Sequence, residues 1–153
     1  MGTNFYLRKK LSEHDKKMCI HYLNNDDYDS FRDLIPKDIH IGKRSGGWKF
    51  LFNANNFEYF NPTKESLIDW LKSGQIFDEY DQEYTFEEFW NDERPTEGWD
   101  LKEYYEQCKE DKWIYYVESK VIQKFKELFD IDVNPHGEFY IDDLRFTTFD
   151  EFG

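Results

Sequence analysis

At 153 residues with a formal net charge of −13, the chain has the length for one domain with a sizeable core, and its charge excludes conventional binding to a phosphate backbone or an anionic lipid surface. Aromatic residues make up 20% of it, as 15 Phe, 11 Tyr and 5 Trp; this excludes ordinary polar disorder and leaves a core built from rings, Leu and Ile. Residues 1–20 hold Arg8, Lys9, Lys10, Glu13 and Asp15 without a long apolar run, and no stretch approaches the roughly 18 apolar residues of a membrane span, so neither a signal peptide nor a spanning helix is predicted.

Two cysteines, Cys19 and Cys108, form no close-spaced motif. They allow one disulfide, but nothing else points to secretion, and reduced thiols in a cytoplasmic protein are expected.

In chain order, Thr3–Arg8 reads as a first strand with Phe5 and Leu7 on one face. Ser12 caps a helix reaching Asn24, with Leu11, Met18, Ile20 and Tyr22 as a loose apolar stripe. Asp26–Asp29 forms a turn or helix start, and Phe31, Leu34 and Ile35 make a short amphipathic turn that stops at Pro36. A hairpin over about 39–53 follows. Ile39 and Ile41 alternate with His40, Trp48, Phe50 and Phe52 alternate with Lys49 and Leu51, and Gly46-Gly47 supplies the turn. The rest of the chain is expected to pack around this hairpin.

Asn53–Asn61 reads as a polar loop with Phe57, Tyr59 and Phe60 tucked down. Pro62 and Thr63 open a helix whose buried face is Leu67, Ile68, Trp70 and Leu71, ended by Gly74. Ile76–Tyr80 is a short strand. Thr85 and Glu88 have capping-box spacing before Phe86, Phe89 and Trp90, which share a helix face. Pro95–Gly98 breaks the chain. A long helical region is predicted from Asp100 to about Phe129, with a break at Lys109–Lys112 and with Trp113 among its apolar positions. Asn134-Pro135-His136-Gly137 is a strong turn, and Phe139, Ile141, Leu144, Phe146 and Phe149 mark one or two final strands. The reading is one α+β domain over 1–153: a small, mainly antiparallel sheet around the central hairpin, packed with several helices.

The charge is uneven. Residues 76–111 hold 14 acids and 3 bases, whereas residues 1–75 hold 10 acids and 12 bases. The acids of the first stretch include Asp78, Glu79, Asp81, Glu83, Glu87, Glu88, Asp92, Glu93, Glu97, Asp100, Glu103 and Glu106. Crowding them costs stability through self-repulsion. Solvated helix faces would account for them, as would a single acidic flank that docks a basic partner, where complementary charge raises on-rate and selectivity.

Gly42-Lys43-Arg44-Ser45-Gly46-Gly47 lacks phosphate-loop spacing and opens no helix, so a P-loop is rejected. A small anionic ligand such as a nucleotide, bound or turned over at His40, Lys43, Arg44, Ser45 and Trp48, is the alternative to a plain turn. His14, Cys19, His21 and His40 match no zinc spacing. Asp130-Ile131-Asp132-Val133-Asn134 imitates half a calcium loop, but Pro135 and Ile141 occupy the positions that need Gly and Glu. No metal, cofactor or catalytic grouping is assigned.

The opening Met1-Gly2-Thr3-Asn4-Phe5-Tyr6, with His40-Ile41-Gly42-Lys43-Arg44-Ser45-Gly46-Gly47-Trp48 and the later Asp69-Trp70, resembles a family of small phage and prophage proteins. Members show M-G-T-N-[YF]-Y, then H-I-G-K-x-S-x-G-W, then a helix with a D-W pair. The resemblance covers about residues 1–90, which leaves about 100–132 as a helical insertion and about 138–149 as C-terminal strands. Many members carry a Cys-x-x-Cys pair before the second motif; this chain has helical sequence there and lacks any zinc site the pair would form. The resemblance implies a phage-infected bacterium. In that setting the acidic charge is expected to belong to a non-enzymatic accessory protein that inhibits a basic, nucleic-acid-handling host protein. Inhibitors of CRISPR nucleases and of other defence proteins, some of them DNA mimics, form that class.

Overall fold

The computed structural model describes residues 2–107 and 116–149. The strands are β1 (Gly2–Lys9), β2 (Asp38–Ser45), β3 (Leu51–Asn53), β4 (Gly74–Asp78), β5 (Glu83–Tyr84), β6 (Glu138–Ile141) and β7 (Leu144–Thr147). They form one sheet in the order β5-β4-β1-β2-β3-β7-β6, so β2 lies at its centre. Every neighbouring pair is antiparallel except β3 and β7, which run parallel. The helices are α1 (Glu13–Asn24), α2 (Tyr28–Leu34), α3 (Lys64–Lys72), α4 (Phe86–Glu88), α5 (Leu101–Gln107) and α6 (Ser119–Phe129). The α+β class read from the sequence is therefore the class of the fold. No helix among the described residues is long and apolar enough to cross a membrane.

Short polar side chains start the helices where the spacing predicts. Ser12 Oγ accepts the Asp15 N–H, Thr63 Oγ1 accepts the Ser66 N–H, and Thr85 with Glu88 closes a full capping box. Each cap satisfies amide donors that a helix start leaves open, worth about 1 kcal/mol apiece.

The core lies on one face of the sheet. Phe5, Leu7, Ile41, Phe52, Ile76, Phe139, Leu144 and Phe146 point into it from the strands, and Leu67, Leu71, Phe89 and Phe125 close it from the helical side. Its contacts are largely ring on ring, such as Phe5–Phe89 at 5.3 Å and Phe57–Phe146 at 5.4 Å between centroids. Such pairs add about 0.5–1.5 kcal/mol each beyond the area they bury. The register of β1 on β2 shifts between Phe5 and Tyr6: Phe5 faces Gly42 and Tyr6 faces His40, leaving Ile41 as the bulged residue. Glycine is required at 42, because a Cβ there would lie 2.2 Å from Leu51 O and 2.6 Å from the Phe50 ring.

Three stretches differ from expectation. Only Leu51–Asn53 of the hairpin's second arm becomes a strand. The backbone before it turns to a different partner: the Lys49 N–H donates to Trp99 O, the Phe50 N–H to Pro95 O, and the Trp99 N–H to Gly47 O. The left-handed φ of +82° at Gly47 gives the wide turn this needs. Residues 54–58 form a 3-10 turn rather than a loop, and Tyr59 lies exposed over Trp70 instead of tucked down. The described part of the helical region expected over 100–129 holds α5 and α6, and it is also interrupted further along than the sequence suggests. Residues 116–118 are not helical, and the Val117 N–H is taken by Pro135 O. The break expected at Lys109–Lys112, with Trp113 and Cys108, falls outside the described residues.

One buried ion pair joins the C-terminal strands to this frame. Arg145 and Glu138 are 4% and 1% exposed. Arg145 Nε and Nη2 both donate to Glu138 Oε2, and Nη1 donates to Lys49 O at 3.0 Å. Glu138 Oε1 accepts the Leu101 N–H at 3.0 Å, and the guanidinium lies over Trp48. Removing one partner of such a pair strands a buried charge. Arg145→Met is expected to cost about 3–5 kcal/mol in denaturant unfolding, and adding Glu138→Gln to it to recover part of that loss.

Candidate partner-binding surface and hairpin motif

The eleven acids expected at a partner surface divide by what they hold. Asp78 is buried at the end of β4. Its Oδ1 accepts the N–H groups of Tyr80 and Gln82, at 2.8 and 3.0 Å, and its Oδ2 accepts the Tyr84 hydroxyl at 2.8 Å. Burial alone would raise this carboxyl, but those donors and the Arg44 charge outweigh it and hold it below the usual range. Asp100 is buried too, accepting the Glu103 N–H at the start of α5 and the Tyr140 hydroxyl at 2.6 Å. Burial again pushes up, and the two donors with the Lys49 and Arg145 charges prevail.

Four more have work within the fold. Glu79 accepts the Asn4 N–H, Glu83 the Gln75 amide, Glu88 belongs to the capping box, and Glu93 pairs with Arg44. Asp81, Glu87, Asp92, Glu97 and Glu103 are exposed, and no side-chain hydrogen bond or ion pair holds them among the described residues. Asp78 and Asp100 therefore belong to the interior, and the accessible charge is smaller than the sequence count implies.

Nor do these acids share one flank. Asp81 and Glu83 sit beside β5, at one edge of the sheet. Glu103 lies on α5, tied to β6 at the opposite edge by Asp100–Tyr140 and Leu101–Glu138. Six strand spacings of about 4.8 Å put those edges roughly 29 Å apart. The acidic stretch runs across the molecule.

It gathers at one place. A cleft of about 480 Å³ beside α5 is lined by Asp100, Glu103, Glu106, Asp132 and Glu138, with Lys102 as the one cation among the described lining residues. Glu138 is neutralised by Arg145, and Asp132 shares Lys126 with Asp130. Glu103 and Glu106 form no ion pair among the described residues. Asp132 and Glu138 lie outside the 76–111 span, so counting charge along the chain missed them. Alternation of Glu138 and Tyr140 with Phe139 and Ile141 is the signal that would have placed them on the face away from the core.

The hairpin residues divide between the two faces of the sheet. Arg44 lies on the core side, over the Phe5 ring, bonded to Glu93 and Thr3. Lys43 pairs in register with Asn4, whose Oδ1 bonds His40 Nε2 at 3.0 Å on the other side of the sheet. Burial depresses the His40 imidazole. Ser45 O accepts the Trp48 N–H across the turn, and Trp48 packs on Tyr104 and under Arg145. No group of three or more His, Cys, Asp or Glu placed to hold a metal occurs among the described residues. Cys19 is buried on α1.

The Tyr84 hydroxyl is pushed up to about 12, by burial first and then by its bond to Asp78. A folded-state value above the ordinary 10.0 means that the protonated hydroxyl favours the folded chain. That stability is intact below pH 10 and is lost as pH rises towards 12. The denaturant midpoint is expected to fall across this window, and less steeply in Tyr84→Phe.

Comparison of the chain with protein-family models, curated proteins and solved structures finds no match.

Proposed function

We propose that this chain is an acidic phage accessory protein that binds a basic, nucleic-acid-handling host protein in the bacterial cytoplasm. A defence nuclease of the CRISPR class has the required chemistry. Bound there, the protein competes with nucleic acid for the partner's cationic surface. The observation that carries the reading is the cleft beside α5, where, among the described residues, Glu103 and Glu106 stand unpaired beside further carboxylates and one lysine. Leaving like charges together costs stability, and a cationic partner offsets that cost when it docks. The phage setting rests on the two N-terminal motifs.

The carboxylates near β5 are too far from the cleft to act with it on one small basic patch, so the contact centres on α5. Lysine and arginine side chains of the partner enter the cleft, and exposed rings at its rim supply apolar area. Tyr140, 40% exposed, is one of these.

Capture from host lysate at low salt identifies the partner, and a biosensor then measures it. The double substitution Glu103→Lys with Glu106→Lys is expected to weaken binding about tenfold or more, mainly through a slower on-rate. Asp81→Lys with Glu87→Lys, at the far edge, is expected to change it less than twofold. Equal losses from both pairs would show a diffuse charge effect and remove the cleft from the proposal. Labelled nucleic acid that stays bound to the partner at saturating protein would remove the competition.

A further inference from the structure

Among the described residues Arg94 is a cation with no bonded carboxylate, in the most acidic part of the chain. It is 9% exposed, its Nε is buried with no hydrogen-bond partner, and no ion pair reaches its guanidinium among the described residues. Asp92 and Glu97 lie close in sequence and do not bond it, and Glu93 is committed to Arg44. The carboxylate whose charge acts on it is Asp143, which is itself bonded to Lys64 at 2.9 Å.

The backbone is built to put it there. After the single turn of α4 the helix widens into a π-turn over Phe89–Glu93, closed by the Arg94 N–H donating to Phe89 O at 3.0 Å. Such insertions weaken helical hydrogen bonding and recur where a side chain must be re-aimed. The turn lays the Arg94 guanidinium on Trp90, 3.9 Å from the ring centroid. Trp90 stacks on Phe86, and Lys72 Nζ lies over Phe86 at 4.9 Å. A ring beneath a guanidinium holds it flat and offsets only part of the cost of desolvating an unpaired charge. Burial also lowers its proton affinity.

We propose that Arg94 anchors a site for an oxyanion, the phosphate or carboxylate group of a small ligand. Trp90 fixes the plane of the guanidinium fork, and Lys64 supplies a second positive charge from α3. The planar fork suits two oxygens of one group, which an ammonium cannot match. Asp143 is a competing charge: it holds Lys64 and repels the incoming anion. The site is separate from the acidic cleft and does not depend on that reading.

The test follows the Arg94 Nε–H resonance of the full-length, isotope-labelled protein, assigned by its absence in Arg94→Lys. Sodium phosphate and sodium acetate are titrated separately at constant ionic strength set with chloride. A saturable shift with phosphate, with acetate or with both supports the site and identifies the group it takes. Asp143→Asn is expected to tighten that binding about threefold, an effect a purely structural arginine would not show. Where Arg94→Lys folds, its remaining resonances are expected to lose the saturable response. No saturable shift of the wild-type resonance with either anion overturns the proposal. So does a shift shared in size and midpoint by the exposed Arg32.

Discussion

The fold depends on a guanidinium and a carboxylate that meet away from water. Arg145 and Glu138 stand on neighbouring antiparallel strands, but their remaining bonds go elsewhere. Lys49 O brings in the turn after β2, the Leu101 N–H brings in the start of α5, and the Trp48 ring covers the guanidinium. Two segments distant in sequence thus satisfy one buried pair. Desolvation makes an isolated pair of this kind expensive, and the added hydrogen bonds are what make it tolerable. The same bonds position the acidic cleft, because Asp100 and Glu138 reach its lining through them.

Much of the architecture was legible because local rules and global packing agree. Ser12, Thr63 and the Thr85–Glu88 box start helices at the predicted residues, and alternation in β1, β6 and β7 puts Phe5, Leu7, Phe139 and Phe146 inside. Two of the stretches that depart from the expected pattern have a backbone partner far along the chain. Trp48–Phe50 has a strand's alternation, but the Lys49 and Phe50 N–H groups donate to Trp99 O and Pro95 O. Periodicity reports which face is apolar and is silent on which strand is adjacent. Val117 likewise sits in a helical pattern and gives its N–H to Pro135 instead.

The candidate surface was less legible, for a related reason. A count of carboxylates along a sequence treats them as equivalent, whereas the fold uses half of them internally. Asp78 ties the β4–β5 turn, Asp100 starts α5, and Glu93 neutralises Arg44. What distinguishes Glu103 from Asp100, three residues apart, is a helix that points one outward and closes over the other. Arg94 is the converse: nothing in its neighbourhood of acids announces that none of them bonds it. Geometry alone shows that, and it depends on a π-turn that no periodic pattern encodes.

The parallel contact of β3 with β7 has a consequence for how the chain is made. Leu51 and Phe52 find their sheet neighbours at Arg145 and Phe146, at the far end of the sequence. On the ribosome, β1, β2 and β4 can pair early, while β3 waits with one side open until the last strands emerge. An open strand edge invites pairing with other chains. Here it is only three residues long, which limits the aggregation hazard during that interval.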